Sequence, residues 1–95
     1  MYFVYVLWSE ELQKRYVGSA EDPRARLKQH NAGKTPFTRG GIPWIPFHTE
    51  SFTTRSEALR REKFLKSGVG RKWLDQEFAR YSRKRKEKTG PSEGC

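Results

Sequence analysis

The sequence predicts a small α+β domain with an antiparallel sheet, its elements ordered β-β-α-β-α-α. Three observations carry that expectation. A run of β-branched and aromatic residues opens the chain, a second short strand pairs with it, and two capped helical segments follow a later strand.

Residues 2–8, YFVYVLW, are apolar on both faces. Such a strand is covered on both sides and belongs in the middle of its sheet. Polar SEELQK makes the turn, and residues 15–19, RYVGS, form the second strand of a hairpin. Asp22-Pro23 reads as N-cap and first helical residue. That helix runs to about Asn31 and ends at Gly33. Residues 33–44, rich in glycine and proline, read as a loop. Residues 46–53 suit a third strand, with Phe47 and Phe52 packing inward and Pro46 tolerated at its start. Thr54-Arg55-Ser56-Glu57 is a capping box that opens a helix over about 55–67, stopped by Gly68. A last helix follows over about 71–81, with Trp73, Leu74 and Phe78 on one face. The domain is expected to span 1–81, and 82–95 to be a basic, disordered tail.

Composition narrows the function. Ninety-five residues fit one domain, and chains this short bury too little surface for a large enclosed cofactor pocket. The net charge is +9, from 20 Lys and Arg against 11 Asp and Glu. That favours a polyanionic partner, nucleic acid before an anionic membrane surface. From residue 80 on, six cations face two carboxylates, a net +4, so residues 1–79 keep +5 without the tail. The lone cysteine, Cys95, cannot make an internal disulfide, and no Cys/His cluster has zinc spacing. No signal peptide and no apolar run of membrane-spanning length is evident, so a cytoplasmic location is expected.

The chemistry-bearing residues fall in three places. On the helix of 55–67, Ala58, Leu59 and Leu65 define an apolar stripe, and Glu62 lies inside it. A carboxylate there needs an ion partner or a cation. On the first helix, Arg26 and His30 lie four apart and share a face. Arginine there suits phosphate, which it binds as a fork; an ordinary solvated basic helix is the competing reading. In the hairpin, Tyr5 and Tyr16 sit one on each strand. Their hydroxyls donate, accept and move protons, or they are core tyrosines with wet tips. Gly18 allows close backbone approach.

Taken together, Phe3-Val4-Tyr5, then Tyr16-Val17-Gly18 eleven residues on, then Arg26, His30 and Glu62 resemble the GIY-YIG nuclease superfamily. The first tripeptide is degenerate and the second a common variant. The resemblance covers roughly residues 2–78 and is closest to small stand-alone members. It implies a three-stranded antiparallel sheet flanked by helices, with the site on one side of the sheet. It implies a metal-dependent endonuclease cutting DNA phosphodiester bonds, structure-selective and of the repair or recombination type. A single divalent Mg²⁺ or Mn²⁺ is implied, with Glu62 as ligand. Arg26 then neutralises the scissile phosphate, and Tyr5, Tyr16 and His30 position or deprotonate the attacking water. One departure stands out. Many members carry an Asn about a dozen residues after the Glu, where this chain reads Lys72-Trp73-Leu74-Asp75-Gln76.

Further contacts with the nucleic-acid backbone are expected from Lys34 and Arg39 in the loop and from Lys66, Arg71 and Lys72 beyond it. Phe37 and Trp44 are candidates for stacking on an unpaired base or for closing over the core. His48, in a strand, reads as structural. The partner is DNA, with RNA left open, and no membrane or small-molecule cofactor is expected. The chain is a monomer or weak homodimer. Two alternatives compete with catalysis: a nucleic-acid-binding module with little or no activity, and a basic protein-interaction domain.

Overall fold

The structure, a computed structural model, describes residues 1–80. The expected tail and the boundary before it lie outside the described residues. Strands β1 (Tyr2–Ser9), β2 (Lys14–Ala20) and β3 (Trp44–Phe52) form one antiparallel sheet, ordered β2-β1-β3. The apolar first strand is central, as its two-faced pattern requires. Helix α1 (Pro23–Asn31) covers one face. Helix α2 (Arg55–Lys66) and α3, helical over 68–80, cover the other. A short 3-10 turn, Arg39–Gly41, interrupts the expected loop.

Alternation along β1 sorts the core into two halves. Val4 and Val6 point to the α2/α3 side and pack with Val17, Ala58, Leu65 and Leu74. Tyr5 and Leu7 point to the α1 side and pack with Trp44, Leu27 and Ile42. Fully burying one such aliphatic side chain contributes about 1.5–3 kcal/mol. Phe47 and Phe52 pack against the α2/α3 half, as expected.

Sequence signals set the joints. The Asp22 carboxylate accepts from the Ala25 amide at 3.2 Å, and Gly33 takes φ 77°, a conformation glycine adopts without steric cost. The Thr54/Glu57 capping box forms as expected. The β1–β2 turn needs a positive φ of 53° at Gln13, whose amide donates to the Glu10 carbonyl at 2.9 Å. Buried Ser9 accepts from Leu12 N and donates to the Gly41 carbonyl at 2.7 Å, tying the hairpin to the 3-10 turn.

Several expectations shift. β3 begins at Trp44, so Pro46 lies inside a strand. It is tolerated because β3 is an edge strand and the register slips there: Val6 faces His48 while Leu7 faces Pro46. Gly68 does not stop α2. Ser67 does, as its C-cap, and its hydroxyl accepts from Gly70 N at 3.3 Å to open α3. α3 therefore starts three residues earlier than the sequence indicated. Gly70 is pressed on the carbonyl of Phe64, and a Cβ there would collide with it. Leu59 is 46% exposed, so the apolar stripe of α2 is Ala58 and Leu65, and Glu62 sits at its margin.

Candidate active site

Tyr5 and Gly18 are cross-strand partners, and Leu7 pairs with Tyr16. Both tyrosines therefore project to the α1 side of the sheet. A Cβ on Gly18 would lie 2.7 Å from the Tyr5 hydroxyl. The glycine of the second tripeptide thus lets the Tyr5 ring lie across its backbone. α1 then brings His30 into the same cluster. The rings of Tyr16 and His30 meet edge-on at 4.8 Å, and those of Tyr5 and Tyr16 are 6.3 Å apart.

His30 is wholly buried and held at both nitrogens. Nδ1 lies 2.8 Å from Thr38 Oγ1, and Nε2 lies 3.3 Å from the Tyr5 hydroxyl. Thr38 Oγ1 donates its proton to the Thr35 carbonyl at 3.3 Å. It must therefore accept from Nδ1–H, and the network assigns the free lone pair to Nε2. Tyr5 donates to that lone pair. Burial, and then the charge of Arg26, hold His30 below its ordinary pKa, so it is neutral near pH 7. Burial raises the Tyr5 pKa; Arg26 beside its hydroxyl pulls it down, and the charges of Tyr16 and Glu62 push it up again, for a net rise.

Arg26 donates to Gln29 Oε1 at 2.6 Å and makes no ion pair with any described residue. Its charge therefore has no carboxylate partner among the described residues. Glu62 reaches the same sheet edge from α2. Ser19 on β2 donates to its Oε1 at 2.7 Å, and Lys66 lies 2.7 Å from its Oε2. Its side chain keeps 18% exposure. The five expected residues thus gather around β2, four from the α1 side and Glu62 from the other. Glu62 is near enough for its charge to act on Tyr5.

Among the described residues, no three or more His, Cys, Asp or Glu side chains group as a metal site. One carboxylate beside a hydroxyl is an all-oxygen donor set. That suits a hard cation that keeps water and takes phosphate oxygens for its remaining positions.

The other expected residues separate. Lys34 and Arg39 are exposed beside the cluster, Arg39 donating to the Gly33 carbonyl at 3.1 Å. Arg71 and Lys72 are exposed on α3. Lys66 is engaged by Glu62. Trp44 is core: 5% exposed, with Nε1 donating to the Thr38 carbonyl at 2.7 Å. Phe37 is 82% exposed. Gln76, where many members carry the Asn, is exposed on α3. His48 lies on β3 and binds Glu50 at 2.7 Å, away from the cluster. Sequence reading placed Thr38 only with the loop residues that could touch a nucleic-acid backbone and missed Ser19 and Gln29; in the fold these three hold His30, Glu62 and Arg26. Gln29 lies three residues from Arg26 on α1, a helical spacing that could have found it; Thr38 and Ser19 carry no such periodic signal.

No described helix is long and apolar enough to cross a membrane. A family model described as the GIY-YIG catalytic domain matches residues 1–75. A UPF0213 protein of Halobacterium salinarum is 42% identical over 67 residues, 70% of this chain and 86% of that one. A UPF0213 protein of Haloquadratum walsbyi is 39% identical, again over 70% of this chain and 74% of its own length. The solution structure of a UPF0213 protein from Bacillus halodurans is 31% identical with a TM-score of 0.49, covering 80% of this chain and 84% of that one. GIY-YIG nucleases are generally dependent on a divalent metal and act on DNA. This chain belongs to the GIY-YIG nuclease family.

Proposed function

We propose that the protein is an endonuclease that hydrolyses DNA phosphodiester bonds with Mg²⁺ or Mn²⁺. On this reading it is structure-selective, of the repair or recombination type, and acts in the cytoplasm as a monomer or weak homodimer. One observation supports the reading above others: the uncompensated guanidinium of Arg26 stands beside Tyr5, Tyr16 and neutral His30, with Glu62 at the same strand edge.

Each side chain then has a task. Arg26 binds the scissile phosphate and offsets the negative charge that grows as water adds to phosphorus. Tyr16, half-buried where β2 meets solvent, orients that water. Tyr5 accepts the water's proton as its own passes to Nε2 of His30, which is neutral and has a lone pair to receive it. Thr38 keeps His30 in the tautomer this transfer needs. Glu62, with Ser19, would hold the cation; when bound, the cation supplies Lewis-acid stabilisation of the phosphate and leaving oxygen. For that, Lys66 must release Oε2.

The test is cleavage of branched, nicked and linear DNA in Mg²⁺ or Mn²⁺ by wild type, Arg26→Ala and Glu62→Ala. Metal-dependent cleavage lost in both variants is expected. Cleavage that survives either change would sink these assignments. Binding that persists in EDTA, with no cleavage by wild type, would favour a non-catalytic binding module, the reading to which the Lys66–Glu62 ion pair lends weight.

A further inference from the structure

A groove of about 680 Å³ runs along the β2 edge away from the clustered residues. Tyr16 and Lys66 line its near end, so it is continuous with the candidate site. Phe37 stands there with its ring 6.1 Å from that of Tyr16 and 82% of its surface exposed. Nothing in the fold requires a bare phenylalanine on a loop tip between two cations, Lys34 and Arg39. Lys14 and Arg71 flank the groove further on, both exposed and with no ion pair among the described residues. At the far end the rings of Trp8 and Phe78 pack against each other, 4.3 Å apart and tilted by 37°.

We propose that this groove takes an unpaired stretch of DNA next to the cut, with a base stacked on Phe37 and the backbone drawn along Lys14 and Arg71. This rests on the nuclease reading and names the structure that it selects. Two physical points carry it. An exposed aromatic face beside free cations binds single strands, because every unpaired base offers a π-face and every nucleotide a phosphate. Phe37 supplies the face and Lys14 and Arg71 the cations, while the Asp75 carboxylate in the lining is already paired with Arg15. Bases in an intact duplex already stack on one another, so a protruding ring such as Phe37 gains nothing from them. The concave, cation-lined surface also fits a flexible strand better than an apolar peptide.

The experiment is fluorescence anisotropy with the full chain in EDTA, using a labelled oligothymidylate and a blunt hairpin duplex. Wild type is expected to prefer the single strand. Phe37→Ala weakens single-strand binding roughly five- to a hundredfold, the usual range for losing one stacked base, and leaves duplex binding unchanged. Phe37→Trp restores it. Lys14→Ala and Arg71→Ala weaken both ligands, and each lowers the single-strand salt slope by about 0.7. Phe37→Ala binding like wild type, duplex binding as tight as single-strand binding, or an oligouridylate bound tighter than oligothymidylate overturns the proposal. A melting curve for Phe37→Ala matching wild type excludes misfolding as the cause. Because binding is read without metal, loss of the nuclease reading is separable: Phe37-dependent binding with no cleavage in Mg²⁺ keeps the groove and removes the enzyme.

Discussion

The two edges of the sheet hold nearly the same side chains and put them to different use. On the β3 edge, Glu50 takes a two-pronged Arg61 at 2.8 and 3.0 Å and a histidine, His48, at 2.7 Å. Arg61 lies over the rings of Phe64 and Trp73 at about 5 Å. Every charge there has its opposite. At the β2 edge, Arg26 meets a neutral amide and the Tyr5 hydroxyl but no carboxylate among the described residues, His30 is neutral, and Glu62 has one exposed lysine and a hydroxyl. Arg61 and Glu62 are adjacent in sequence yet belong to different edges. The β3 set is a closed network that braces α2 against the sheet. The β2 set leaves the Arg26 charge without a carboxylate among the described residues, which is what the proposed phosphate site would use.

The largest test of that contrast is activity. Arg26→Ala and Glu62→Ala should each reduce cleavage about a hundred- to thousandfold, the usual loss when one preorganised charge-stabilising group is removed. Glu50→Gln should leave cleavage within about twofold of wild type. Equal losses from both edges, in a gel-based nicking assay, would erase the distinction.

Next comes stability. Thr38→Val leaves His30 Nδ1–H buried without an acceptor, costing about 1–3 kcal/mol in urea unfolding. Glu50→Gln, at a pair with 20–30% side-chain exposure, should cost about 1 kcal/mol or less.

Acidification should separate the edges in order. The folded pKa of His30 is depressed, so the unfolded chain binds its proton first. Stability from His30 is complete above about pH 6.5 and is lost as pH falls from there towards the folded value. For Glu50, burial raises the pKa, but Arg61 and His48 outweigh it, for a net depression from 4.5. Its contribution is complete above that value and is lost below it. Urea midpoints against pH should show a first decline that His30→Gln flattens and a later one that Glu50→Gln removes.

The smallest effect is at Lys66. This i,i+4 pair with an exposed lysine contributes about 0.3–0.5 kcal/mol to stability. Lys66→Ala should melt nearly as wild type yet bind Mn²⁺ more tightly in a titration followed by electron paramagnetic resonance. Unchanged affinity would mean that the lysine does not compete for Glu62.

The fold was readable where local chemistry decides it. β1 announced its central place by being apolar on both faces, and Asp22-Pro23 and Thr54–Glu57 marked helix starts correctly. Glu62 stood out as a carboxylate beside Ala58 and Leu65, although Leu59 proved exposed. What sequence could not separate was Phe37 from Trp44. Both are loop aromatics in the same glycine-rich stretch. Only the fold supplies Thr38 O and Asn31 Oδ1 as partners for Trp44, and leaves Phe37 82% exposed, its ring touching only the edge of the cluster at Tyr16. The hold of Thr38 on His30 was hidden for a related reason: it depends on a turn that brings the residue back over α1. The end of α2 was misplaced by one residue because a serine acted as cap where a glycine was nearer to hand.

That serine joint has a consequence for how the chain can vary. Ser67 ends one helix and begins the next with no spacer, and Gly70 locks the corner against the Phe64 carbonyl. Each helical residue turns about 100° about its axis. A single residue inserted at the corner would therefore swing Leu74 out of the core and part Asp75 from Arg15, its partner across the groove. α2, which carries Glu62, and α3, which walls the groove, are geared through one tooth. This corner sets the gauge of the channel, and its length should not change.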